Sequence, residues 1–98
     1  MNKLPGKSLS YLRGLAHHQK VVVSVGTKGI TKALVDELDI ALKTHELVKV
    51  KLAGNDKSDR AMCLERLCAA TDAHAVQLIG HTGVIYRPAE EPVIKLPV

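Results

Sequence analysis

Four valines within five residues, Val21, Val22, Val23 and Val25, run directly into Gly26-Thr27-Lys28-Gly29. Beyond that break, Ile30, Ala33, Leu34, Leu38, Ala41 and Leu42 recur at spacings of three and four. A short β-branched run reads as a strand, and the three-four spacing reads as a helix with one apolar stripe. A connection this short folds the helix back onto the sheet as half of a right-handed β-α-β crossover. The chain is therefore an α/β protein. With no polar residue among Val21, Val22 and Val23, the strand is expected to be buried on both faces, as inside a parallel sheet. Thr31 is the expected N-cap of the helix. Lys43 and His45 lie where cations suit its carboxyl end.

The remaining segments extend this unit. Ser8 opens a short helical pattern with Leu9, Leu12, Leu15 and Ala16 on one side, ending at His17-His18. Leu47 to Leu52 alternates strictly: Val48, Val50 and Leu52 face one way, and Leu47, Lys49 and Lys51 form an expected wet, positive face. Asp56 or Ser58 caps a third helix running to about Ala70, with Ala61, Leu64, Leu67 and Cys68 inward. His74 to Ile79 is a strand, Gly80-His81-Thr82-Gly83 a turn, and Val84 to Arg87 the returning strand. Pro88, Pro92 and Pro97 make residues 88–98 an extended tail. The order is α-β-α-β-α-β-β, giving a single domain over 1–98 with a four-stranded mixed sheet covered by helices on at least one face.

Composition narrows the function. The 98 residues carry two Tyr and no Phe or Trp, which argues against nucleic-acid binding on an aromatic platform. The net charge is +4, and its placement says more than its size. Residues 1–32 hold six basic side chains (Lys3, Lys7, Arg13, Lys20, Lys28, Lys32) and no acidic one, whereas eight basic and ten acidic residues follow. Such asymmetry suggests a polyanionic partner. No apolar run, Val21 to Val23 included, is long enough to cross a membrane as a helix. Cys63 and Cys68 read as small core or boundary residues of a reduced, cytoplasmic protein.

The Gly26-Thr27-Lys28-Gly29 loop has the makings of an anion site. The first amides of a helix lack internal partners and carry the positive end of its dipole. Glycine allows left-handed backbone angles and close approach of a phosphate. Lys28 adds a charge at the tip, and Lys32 follows one turn on. KH domains clamp nucleic-acid backbone with a Gly-x-x-Gly loop. Gly80-His81-Thr82-Gly83 matches the same pattern, but it joins two strands and carries no lysine. The Walker A and dinucleotide glycine patterns are both absent.

Leu12-Arg-Gly-Leu-Ala-His17, Val23 to Thr31, His45 to Lys51, Val76 to Gly80 and Ile85 to Pro88 occur in one order along nearly the whole chain. Together they resemble the YhbY-type CRM domain. The resemblance implies an RNA-binding domain whose fold is related to the carboxyl-terminal domain of translation initiation factor three and is KH-like. It also implies association with precursors of the large ribosomal subunit (pre-50S particles), and a Gly-x-x-Gly loop at Gly26, Thr27, Lys28 and Gly29.

Further candidates for RNA contact are Arg13, Lys20, Lys49, Lys51 and Arg87, each with a plainer alternative. Lys49 and Lys51 also suit a solvated strand face, and Arg87 also suits packing against Glu90 or Glu91. Lys3 and Lys7 are expected on a mobile terminus. The histidines and cysteines match no zinc spacing, and no nucleophile has a base beside it in sequence. No metal, cofactor or catalysis is therefore expected. The expectation is a monomeric, cytoplasmic RNA-binding protein of pre-50S particles. A basic module docking an acidic protein is the alternative.

Overall fold

The computed structural model describes residues 4–97, so Lys3 lies outside it. Seven elements follow in the expected order: α1 (Gly6–Ala16), β1 (Val21–Ser24), α2 (Lys32–His45), β2 (Leu47–Lys51), α3 (Lys57–Thr71), β3 (His74–Ile79) and β4 (Thr82–Tyr86). The sheet order is β1-β2-β4-β3. β1 pairs parallel with β2, while β4 is antiparallel to both β2 and β3. The hairpin thus folds β4 in between β2 and β3, which point the same way without touching.

This order corrects the reading of β1. It is an edge strand, and Val21 and Val22 are 43% and 49% exposed. Only Val23 and Val25 enter the core. The valines suit an extended backbone whether or not both faces are covered, so composition alone could not separate a central strand from an edge.

Helices cover both faces of the sheet. On one face α2 and α3 bury Leu38, Leu42, Leu64 and Leu67 against Val48, Val50, Leu52 and Ile85. On the other, α1 brings Leu12 and Ala16 onto Leu47, Val76, Val84 and Tyr86. The face expected to be wet is therefore only partly so: Leu47 is fully buried, Lys49 half-buried and Lys51 exposed. α1 begins at Gly6, ahead of Ser8, which is itself buried in line with Leu12 and Ala16. Lys7 is a residue of this helix, not of a loose terminus.

Caps fix the other helix starts. Leu34 N–H donates to Thr31 Oγ1 at 3.1 Å, and Asp59 N–H donates to Asp56 Oδ1 at 2.8 Å. The hairpin turn is tighter than expected, because Ile79 already pairs with Thr82. Gly83 is consequently a strand residue. A Cβ there would lie 2.8 Å from Leu64 Cδ1 and 3.1 Å from Leu52 Cδ1, so the close approach of α3 to the sheet requires glycine. Beyond Arg87 the chain is irregular but anchored, with Ile94 and Leu96 packed against the α1-side core.

Candidate nucleic-acid interface

β1 ends beside the end of β2, since Ser24 pairs with Lys51 and Val25 N–H donates to the Lys51 carbonyl at 2.9 Å. The chain then leaves the sheet as the Gly26–Gly29 turn, closed by Gly29 N–H donating to the Gly26 carbonyl at 3.0 Å. Gly29 has φ +73°, which a side chain would strain. Gly26, Thr27 and Lys28 are all exposed.

The turn leads into α2 through Thr31. Two amides of this corner already have partners: Gly29's within the turn and Leu34's on Thr31. Those of Lys32 and Ala33 find no acceptor among the described residues. The first turn of α2 holds no carboxylate. An anion here meets free donors and the positive end of a 14-residue helix. Lys32 Nζ lies 3.0 Å from Asp36 Oδ2, with both side chains largely in solvent. Such a pair contributes little and does not prevent Lys32 from turning toward a phosphate.

Parallel pairing of β1 with β2 brings more charge to this corner. Lys49 and Lys51 share the α1 face of β2, ~7 Å apart, and Lys51 adjoins the loop. Arg13 reaches the same face from α1, its Nε donating to the Val76 carbonyl at 3.3 Å. Arg13, His17, Lys49, Gln77 and Thr82 line a shallow groove of about 160 Å³. Arg13, Lys49, Lys51 and the loop thus form one path over the surface. Nothing in the sequence marks His17 and Gln77, because only the crossing of α1 over the sheet brings them to Lys49.

Two of the sequence candidates lie elsewhere. Lys20 stands at the opposite end of β1, by a hollow lined with Gln19, Val22, His45 and Leu47. Arg87 follows the far end of β4, where its N–H donates to the Glu46 carbonyl. Its guanidinium is committed internally: Nη1 donates to Asp39 Oδ1 at 2.7 Å and to the Thr71 carbonyl at 2.8 Å, and Nη2 to the Asp39 carbonyl at 3.1 Å. The hydrogen bond from Arg87, with that from Lys43, holds the Asp39 carboxyl below its ordinary range. Arg87 therefore joins α2, α3 and β4, and its acidic partner is Asp39 rather than Glu90 or Glu91.

This fold and corner can be compared with known proteins. The profile of the CRS1 / YhbY (CRM) domain matches residues 4–87. The chain belongs to this family. The CRM match takes in all seven elements and stops at Arg87, ahead of the anchored tail. The chain is 43% identical over 97 residues to an RNA-binding protein of Haemophilus influenzae, covering 99% of this chain and 98% of that one. It is 34% identical over 95 residues to the probable RNA-binding protein YqeI of Bacillus subtilis, covering 96% and 99%. Among solved structures it resembles a Staphylococcus aureus protein, described as a candidate RNA binder, with a TM-score of 0.84 and 38% identity over 97% of this chain and 100% of the other.

Proposed function

We propose that this CRM-domain protein binds RNA backbone at the Gly26–Gly29 corner and along Arg13, Lys49 and Lys51, and that its RNA is the precursor of large-subunit ribosomal RNA. The observation that carries the binding site is an exposed Gly-Thr-Lys-Gly turn opening α2, with free helix amides and no carboxylate in the first helical turn. The names of its relatives supply RNA as the partner class. From the likeness to YhbY-type domains we infer the pre-50S particle and a part in ribosome assembly, with the protein acting as a cytoplasmic monomer.

Backbone binding of this kind releases counterions, so affinity should fall steeply with salt. Lys28→Glu should weaken binding across unrelated RNAs alike, because phosphates carry no sequence. Crosslinking in cells and sequencing of the attached RNA tests the partner. Large-subunit ribosomal RNA should dominate, and a profile dominated by messenger or transfer RNA overturns the ribosomal assignment. Complexes that survive nuclease digestion would point instead to an acidic protein partner.

A further inference from the structure

The Gly26–Gly29 corner has a second side. Opposite the lysine path, Gly29 and Ile30 form one wall of a cavity of about 350 Å³ between the loop, the β2–α3 connection and α3. Val25, Ile30, Ala53, Met62 and Cys63 make its walls apolar, and Asp59 and Arg66 stand at its edge. Met62, on the rim, is 49% exposed and within reach of a ligand. Neither the Asp59 carboxylate nor the Arg66 guanidinium has a hydrogen-bond or ion-pair partner among the described residues.

We propose that this cavity receives one unpaired nucleobase of the RNA strand whose phosphate sits on the Gly26–Gly29 loop; the inference rests on the RNA-binding reading above. The cavity has the flat-ligand chemistry that a phosphate site lacks. Its walls are apolar, and its two edge charges cancel, so it does not attract anions by itself. Its volume lies at the low end of the roughly 300–1,000 Å³ of small-ligand sites, enough to hold one base. The carboxylate of Asp59 accepts from base amino and imino groups, as acidic side chains do on nucleic-acid bases. The guanidinium plane of Arg66 can stack on a ring, which replaces the missing aromatics. Because Gly29 closes the loop and, with Ile30, lines the cavity, a strand whose backbone crosses the loop can lay a base over the opening. A duplex cannot use the cavity, since its bases are already paired and stacked.

The test titrates the full-length protein with a short single-stranded RNA of mixed sequence and with the same strand annealed to its complement. The wild type should prefer the single strand. Ala53→Leu, which fills the cavity, should lower single-strand affinity about tenfold, within the range found for losing one stacked base, and leave duplex affinity and salt dependence unchanged. Met62→Ser, at an exposed and uncharged position, carries the same expectation should Ala53→Leu fail to fold. Equal wild-type affinity for both RNAs, or folded cavity variants that bind the single strand as tightly as wild type, overturns the proposal. Lys28→Glu separates the two readings. If it weakens both RNAs while the cavity variants change nothing, backbone binding stands and the base site falls; if it too changes nothing, the loop is not the RNA site, and the base site falls with it.

Discussion

Glu46→Gln is expected to loosen the segment beyond Arg87 while leaving the sheet intact. Glu46 follows α2 with φ +63°, and its buried carboxylate gathers three amides of the tail. Oε2 accepts from Ala89 N–H at 2.9 Å, and Oε1 accepts from Val93 and Ile94 N–H at 2.8 and 2.9 Å. Bonds to a charged acceptor contribute roughly 1.5–3 kcal/mol and neutral ones about 1 kcal/mol. A glutamine oxygen in the Oε1 position keeps two bonds in neutral form and turns its NH₂ against the Ala89 amide. The neutral side chain is less costly to bury, which offsets part of that loss. A net change of about 2 kcal/mol in tail opening follows. Amide exchange should then accelerate about 30-fold at Val93 and Ile94, with exchange at Leu42 and Val50 as internal controls.

Acid should do the same to the wild type. Burial pushes the Glu46 carboxyl up, but the amides of Ala89, Ile94 and Val93 outweigh it and hold the group below its ordinary 4.5. A folded-state value below the unfolded one means the anchoring is complete above pH 4.5 and is lost as pH falls through the folded value. Exchange at Val93 and Ile94 should rise relative to the core across that window in the wild type and stay level in Glu46→Gln. Unchanged exchange at these two amides in the variant would refute the anchoring role.

Three further outcomes follow from packing and burial. Arg87→Met should lose about 2 kcal/mol in urea unfolding, because the buried Thr71 carbonyl is left without its donor, while RNA affinity stays the same; a drop in affinity in the folded variant would return Arg87 to the interface. Gly83→Val forces Leu64 and Leu52 aside and should cost about 1–3 kcal/mol by the same assay, so wild-type stability would contradict the tight contact of α3 with β4. Burial, and then the Glu65 charge, pushes the Cys68 thiol up to about 11. Alkylation of Cys68 at pH 8 should therefore need denaturant, and rapid labelling of the native protein would show that α3 opens.

The helices and the element order are legible from local signals, because Thr31 and Asp56 cap through their own side chains and the apolar stripes of α2 and α3 have helical spacing. Strand neighbours are less legible. Nothing between residues 72 and 87 states that β4, rather than β3, lies against β2; that follows from packing the hairpin under α3, where Gly83 alone admits the leucines. The same limit explains Leu47. Its alternation with Lys49 and Lys51 is visible in the chain, but the helix covering it lies some 30 residues earlier, at Leu12 and Ala16. The partner of Arg87 is hidden for a similar reason, since Asp39 is 48 positions away.

The candidate site depends on strand direction more than on the charge of the first third of the chain. Of its six basic residues, Lys20 stands at the wrong end of β1 and Lys7 lies in the first turn of α1. What adjoins the loop instead comes from the balanced remainder: Lys51 on β2, with Lys49 and Arg13 extending the path back along the sheet. Parallel pairing is the cause, because it ends β1 and β2 on the same side of the molecule and sets Lys51 next to Ser24. Had the two strands run antiparallel, Lys51 would sit at the start of β1 and the loop would stand without it. The α2 crossover therefore builds the anion corner twice over: its amino end supplies the free amides, and the parallel return it makes delivers Lys51.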